Sequence, residues 1–87
     1  MDHPVTRVVV DVMLKPEILD PQGQAVERAL PSLDLEGVTG VRIGKHIELE
    51  VADGAGDPEA VAATVADKLL ANPVIETYTV RVEQPST

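Results

Sequence analysis

Four stretches of the chain alternate apolar and polar residues with the period of two that a β-strand imposes. They run from Val5 to Leu14, Val38 to Ile43, Ile47 to Ala52 and Ile75 to Val82. Two others carry apolar residues at helical spacing. One is Ala25, Val26, Ala29, Leu30 and Leu33, the other Val61, Ala62, Val65, Ala66 and Leu69. The breaks between them are chemically marked. Pro16 lacks a backbone donor and stops the first strand. Asp20 then stands at an N-cap position with Pro21 at the first helical position, and Asp57-Pro58 repeats the device 37 residues later. An Asp there accepts from a free backbone N–H, and Pro there gives up no useful donor. The helices are therefore expected from Pro21 to about Ser32, fraying at Pro31, and from Pro58 to Ala71. Asn72-Pro73 ends the second. Gly44-Lys45 between two strands predicts a tight hairpin.

The faces follow from the alternation. Val8, Val10, Val12 and Leu14 are expected to face the helices, with Ile47, Leu49, Val51, Tyr78, Val80 and Val82. Arg7, Val9, Asp11 and Met13 turn the other way, with His46, Glu48, Glu50, Thr77, Thr79 and Arg81. Shifting the chain by the interval between the two Asp-Pro pairs lays the first strand on the third and the second on the fourth. The expected fold is thus α+β, two βαβ halves in the order βαββαβ. That is a ferredoxin-like sandwich, with a four-stranded antiparallel sheet and both helices on one face. Residues 1–87 make one domain, with an ordered core of about 5–83 between a short arm and a polar tail. Gly23, near the start of the first helix, is either a tolerated first-turn glycine or a point of close backbone approach.

Composition narrows the function. The chain has 87 residues, one aromatic residue (Tyr78) and no Cys, so its core is small and aliphatic and gains from burial against a partner. A net charge of −8 opposes binding to nucleic acid phosphates and to anionic membranes. No apolar run of membrane-spanning length exists. The start Met1-Asp2-His3-Pro4 lacks the basic region and apolar stretch of a secretion signal, and the absence of Cys fits a cytoplasmic location.

Reactive constellations are lacking. Gly40-Val41-Arg42-Ile43-Gly44-Lys45-His46 has the wrong spacing for a phosphate-binding loop, a His where Ser or Thr belongs, and no strand–loop–helix context. His3 and His46, the two histidines, are too few to build a transition-metal site, and His46 reads as a solvated hairpin residue. There is no Cys nucleophile, and Ser32 and Ser86 lie near no plausible base. Glu48 and Glu50 share a strand face, as solvated acids commonly do. No catalytic residue, cofactor site or metal site is expected in this chain. A subunit, a scaffold or a small-ligand sensor remains.

Three segments carry a resemblance. The first is Val10-Asp11-Val12-Met13-Leu14-Lys15-Pro16-Glu17-Ile18-Leu19-Asp20-Pro21-Gln22-Gly23-Gln24-Ala25-Val26. The second is Val41-Arg42-Ile43-Gly44-Lys45, followed by Ile47-Glu48-Leu49-Glu50. The third is Leu70-Ala71-Asn72-Pro73-Val74-Ile75-Glu76-Thr77-Tyr78. Together, in order, they resemble the signatures of the PurS family, the small subunit of phosphoribosylformylglycinamidine synthase. The resemblance covers Thr6 to Val82. It implies a place in de novo purine synthesis, within a glutamine-dependent, ATP-consuming ligase. A large synthetase subunit would bind ATP, magnesium and the ribonucleotide, and a glutaminase subunit would release ammonia. The small subunit would be a homodimer that bridges the two and supports ammonia transfer without catalysing either step.

Bridging needs contact surfaces. The resemblance suggests three patches: Lys15, Asp20, Gln22 and Gly23; Arg42, Gly44 and Lys45; and Asn72, Pro73 and Glu76. Asp20 and Asn72 also serve helix ends, and Gly44 serves the expected hairpin. Arg42 and Lys45 have no such local duty and are the stronger partner contacts. Two alternatives stand beside this reading. One is a regulatory domain of the same fold that binds a small ligand. The other is a small phosphatase, which would need an anion-binding loop near the first strand's end, where Leu14-Lys15-Pro16-Glu17 supplies an acid and a missing N–H.

Overall fold

The computed structural model describes residues 5–83, so the expected arm and tail lie outside the described residues. Three strands form one antiparallel sheet: β1 (Val5–Leu14), β2 (Lys45–Ala52) and β3 (Glu76–Glu83), in the order β2-β1-β3. The register realises the expected faces. Val10 stands opposite Ile47 and Val80, and Val8 opposite Leu49 and Val82. Two helices complete the chain, α1 (Pro21–Ala29) and α2 (Pro58–Val65). Both begin as the Asp-Pro pairs dictate: Asp20 accepts from Gly23 N and Asp57 from Ala60 N. α1 tightens into a 3-10 turn over Leu30–Leu33, where Pro31 removes a donor. α2 widens into a π turn over Ala66–Leu70. Beyond it, Asn72 Oδ1 accepts from Val74 N and Glu76 Oε1 from Asn72 N, which closes the turn into β3.

The core is built by one helix. Val8, Val10, Val12, Val51, Ala62 and Ala66 are buried, with Ile47, Leu49, Tyr78, Val80 and Val82 packed against them. α2 touches all three strands. Two expectations fail here. First, the described residues hold three strands, not four: Val38 to Ile43 has no regular secondary structure and pairs with no strand. Second, α1 packs on its own 3-10 turn rather than on the sheet. Its apolar stripe lies at the surface, with Val26 and Leu33 exposed.

The physical reason lies at Gly44. A two-residue hairpin needs left-handed backbone, and Gly44 is not among the residues at positive φ. A side chain there would instead overlap the Val12 carbonyl and the Met13 thioether. The chain crosses the end of β1 at this point and does not reverse onto β2. Residues 15–44 therefore leave the sheet as an extension. The Cα radius of gyration is 17.1 Å, against about 12 Å for a compact chain of this length. The extents are 53 × 32 × 15 Å.

The open face of the sheet also differs from its simple description. Val9 points away from α2 yet is fully buried. Its cross-strand neighbours are Glu48 and Arg81, and long charged side chains cover apolar surface with their stems.

Candidate functional site

The root of the extension gathers most of the residues singled out from the sequence. Asp20 is the buried carboxylate among the described residues. Its Oδ1 accepts from Gly23 N at 2.9 Å and its Oδ2 from Ile43 N at 2.7 Å. One side chain thus starts α1 and pins the returning strand segment. These two N–H donors, Ile43 first, hold the Asp20 carboxyl below the usual carboxylate range. Gly23 is buried because the Val41 carbonyl oxygen occupies the place of a side chain. Of the two readings of Gly23, close backbone approach is the one realised.

Arg42 closes the same knot. Its guanidinium donates to the carbonyls of Ile18 (3.1 Å), Leu14 (3.3 Å) and Lys15 (2.9 Å). Those carbonyls run from the last residue of β1 into the bend that Pro16 creates, beyond the end of the pairing with β2. A planar fork of five donors suits three such acceptors, and an ammonium would not reach them together. Lys15 N donates to Ile75 O, tying the bend to the start of β3. Lys45 Nζ donates to Leu70 O at 2.7 Å, at the π-helical end of the second helix.

The first two patches therefore meet. Asp20, Gln22, Gly44 and Lys45 line one cleft of 330 Å³ with Glu76 from the third, while Val12, Leu14 and Ile43 form its apolar wall. Lys15, Asn72 and Pro73 are not among its lining residues. Arg42 and Gly40 border a second hollow, behind Pro16 to Asp20. Chemically this arrangement holds a scaffold in place. Asp20, Arg42 and Lys45 spend their charges on this chain's own backbone. Among the described residues, no three His, Cys, Asp or Glu side chains converge as a metal site.

A second cluster was missed in the sequence, on the open face. His46 Nδ1 pairs with Asp11 Oδ1 at 2.8 Å, and its Nε2 lies 3.4 Å from Glu48 Oε2. Arg81 reaches Asp11 at 3.2 Å and Glu83 at 3.9 Å. His46 is not a hairpin residue but a β2 residue directly opposite Asp11. The signal was the register itself: once Val10 faces Ile47, Asp11 must face His46. The hydrogen bond from His46, then the charges of His46 and Arg81, lower the Asp11 pKa. The bonds to Asp11 and then Glu48 raise that of His46.

The sign of the pH effect follows. A raised histidine pKa gives stability that is complete below the ordinary value and is lost as pH rises through the raised one. The Asp11→Asn variant is expected to move the His46 titration back toward the ordinary histidine range, followed by NMR of the imidazole protons. An unchanged midpoint would show that the pair does not form in solution.

The family model described as PurS, Phosphoribosylformylglycinamidine (FGAM) synthase, matches residues 7–84. The phosphoribosylformylglycinamidine synthase subunit PurS of Mycobacterium leprae is 51% identical over 79 residues, which span 91% of this chain and 98% of that protein. Among solved structures, Bacillus subtilis PurS superposes with a TM-score of 0.82 at 44% identity, over 91% of this chain and 99% of that one. A chain in the structure of PurLQS from Thermotoga maritima does so with a TM-score of 0.77 at 34% identity, over 92% and 99%.

Proposed function

The chain belongs to the PurS family, and we propose from that premise that it works as the small subunit of phosphoribosylformylglycinamidine synthase in purine biosynthesis. The observation that carries this is the likeness, over nearly its whole length, to a chain within the PurLQS structure of Thermotoga maritima. The finer reading is a homodimer in the cytoplasm that bridges a large synthetase subunit and a glutaminase subunit. ATP and magnesium are held by the large subunit. This chain's part is to fix the orientation of its neighbours so that ammonia passes between their sites without meeting bulk water.

The knot at the root of the extension supports that reading. Asp20, Gly23, Arg42 and Ile43 lock the extension to the sheet through side-chain and backbone contacts, and a spacer between two larger bodies must resist bending. Lys15, Gln22, Asn72, Pro73 and Glu76 are the proposed contacts to the neighbours. The cleft is where a small-ligand regulatory module would hold its ligand. Its Asp20 is already engaged by two backbone N–H groups and its Lys45 by a carbonyl, so the subunit reading is preferred.

The test is reconstitution of the three subunits with and without this chain. Glutamine-dependent synthesis is expected to fall by about a hundredfold on omission, the scale of a lost fixed geometry. Synthesis from added ammonia by the large subunit should persist. Equal glutamine-dependent rates with and without the chain would overturn the proposal.

A further inference from the structure

Met13 is the one methionine among the described residues; Met1 precedes them. It stands on the open face of the sheet and is 37% exposed, so a molecule as small as a peroxide reaches its sulfur. Yet that sulfur has a structural duty. β1 and β2 pair as far as Val12 and Lys45, and one further step of the same register sets Met13 opposite Gly44. Gly44 carries no side chain, and the Met13 thioether fills the place where one would stand, beside the Val12 carbonyl. Gly44 is also where the extension returns to the sheet. Its neighbour Ile43 is the residue that Asp20 holds by the N–H. A single apolar side chain thus caps the crossing at the root of the extension.

We propose that Met13 is a reversible oxidation site whose sulfoxide loosens the extension at its root. A hydroperoxide supplies the oxygen. Its O–O bond breaks, one oxygen joins the sulfur, and the other leaves as water or an alcohol. The sulfur gives up two electrons and the peroxide takes them. A thiol-dependent reductase reverses the step: a dithiol gives two electrons and two protons, and the oxygen leaves as water. Oxidation turns a flexible apolar side chain into a polar, chiral one. Over Gly44 the new oxygen would stand beside the Val12 carbonyl, an acceptor like itself, and an acceptor packed there without a donor is costly. Thr77 of β3 stands directly opposite Met13 on the same face. Its O–H is a donor within cross-strand reach. The sulfoxide therefore swings from Gly44 toward Thr77 and solvent, and the crossing loses its cap. This inference goes beyond the subunit reading and stands independently of it.

The full chain is treated with dilute hydrogen peroxide and mapped by mass spectrometry after digestion. One added oxygen is expected on Met13. The melting temperature of the oxidised chain should fall by about 5 °C and recover after treatment with methionine sulfoxide reductase and dithiothreitol. Met13→Leu nearly conserves volume, so it should melt close to the untreated parent and be indifferent to peroxide. That variant keeps Met1, which makes it the control for oxidation there. Amide hydrogen exchange locates the change: the Ile43 N–H should exchange faster in the oxidised chain, while the paired amides of β1 and β3 keep their protection. Each of four results would overturn the proposal. They are a Met13 that resists peroxide, an oxidised chain that melts like the parent, an equal peroxide effect on Met13→Leu, and exchange that rises across the sheet as much as at Ile43.

Discussion

Gly23→Val is expected to destabilise the protein by about 3 kcal/mol or more, at the top of the range for overpacking. The backbone of Gly23 lies outside the left-handed region, so the cost is steric and not conformational. The Val41 carbonyl sits where the new Cβ must go, and the carboxyl carbon of Asp20 lies 3.1 Å from the same point. Neither can yield cheaply. The carbonyl belongs to a backbone that Arg42 and Asp20 pin on its next two residues, and the carboxyl is held from both sides. The strand segment must therefore lift away from α1. Urea denaturation measures the loss, with Gln22→Ala as the neighbour: exposed and outside the knot, it should stay within about 0.5 kcal/mol of the parent. Equal midpoints for Gly23→Val and the parent would mean that the close approach does not exist in solution.

Asp20→Ala is the second large effect. It removes the α1 cap and the acceptor for Ile43 N together, and the melting temperature is expected to fall by roughly 5–10 °C at neutral pH. Asp20→Asn should fall between, since an amide caps a helix well but has one acceptor oxygen where two donors wait. The pH dependence separates this from a generic loss. The Asp20 pKa is lowered by its backbone donors. The parent's advantage is thus complete above the ordinary carboxylate value of about 4 and is lost as pH falls through the depressed one. The gap between parent and Asp20→Ala should narrow in that acid window and nowhere else. A gap of constant size from neutral to strongly acid solution would refute the assignment.

Much of this was legible in the residues. Both Asp-Pro starts, the strand β1 to its last residue and the inward faces of all three strands follow from alternation and capping, which are local. Asp20 was legible as a cap, but not as the pin for Ile43, because a partner 23 residues away leaves no trace beside it. Arg42 looked like a spare cation for the same reason. Its acceptors are carbonyls, and every residue carries one. The misplaced fourth strand is more instructive. Period-two alternation in Val38 to Ile43 states that one side wants burial. It does not state which sheet, or whose. Only the backbone angle at Gly44 decides that, and glycine is the residue whose angle its sequence context constrains least. The outward cluster of Asp11, His46 and Arg81 lay hidden until the register was known, since its members are 35 residues apart.

The Cα trace spans only 15 Å along its shortest axis. The core is one helix and one sheet deep, so a side chain buried under the helix layer is one strand's width from the opposite exterior. Two neighbours gripping opposite sides would in effect be gripping each other.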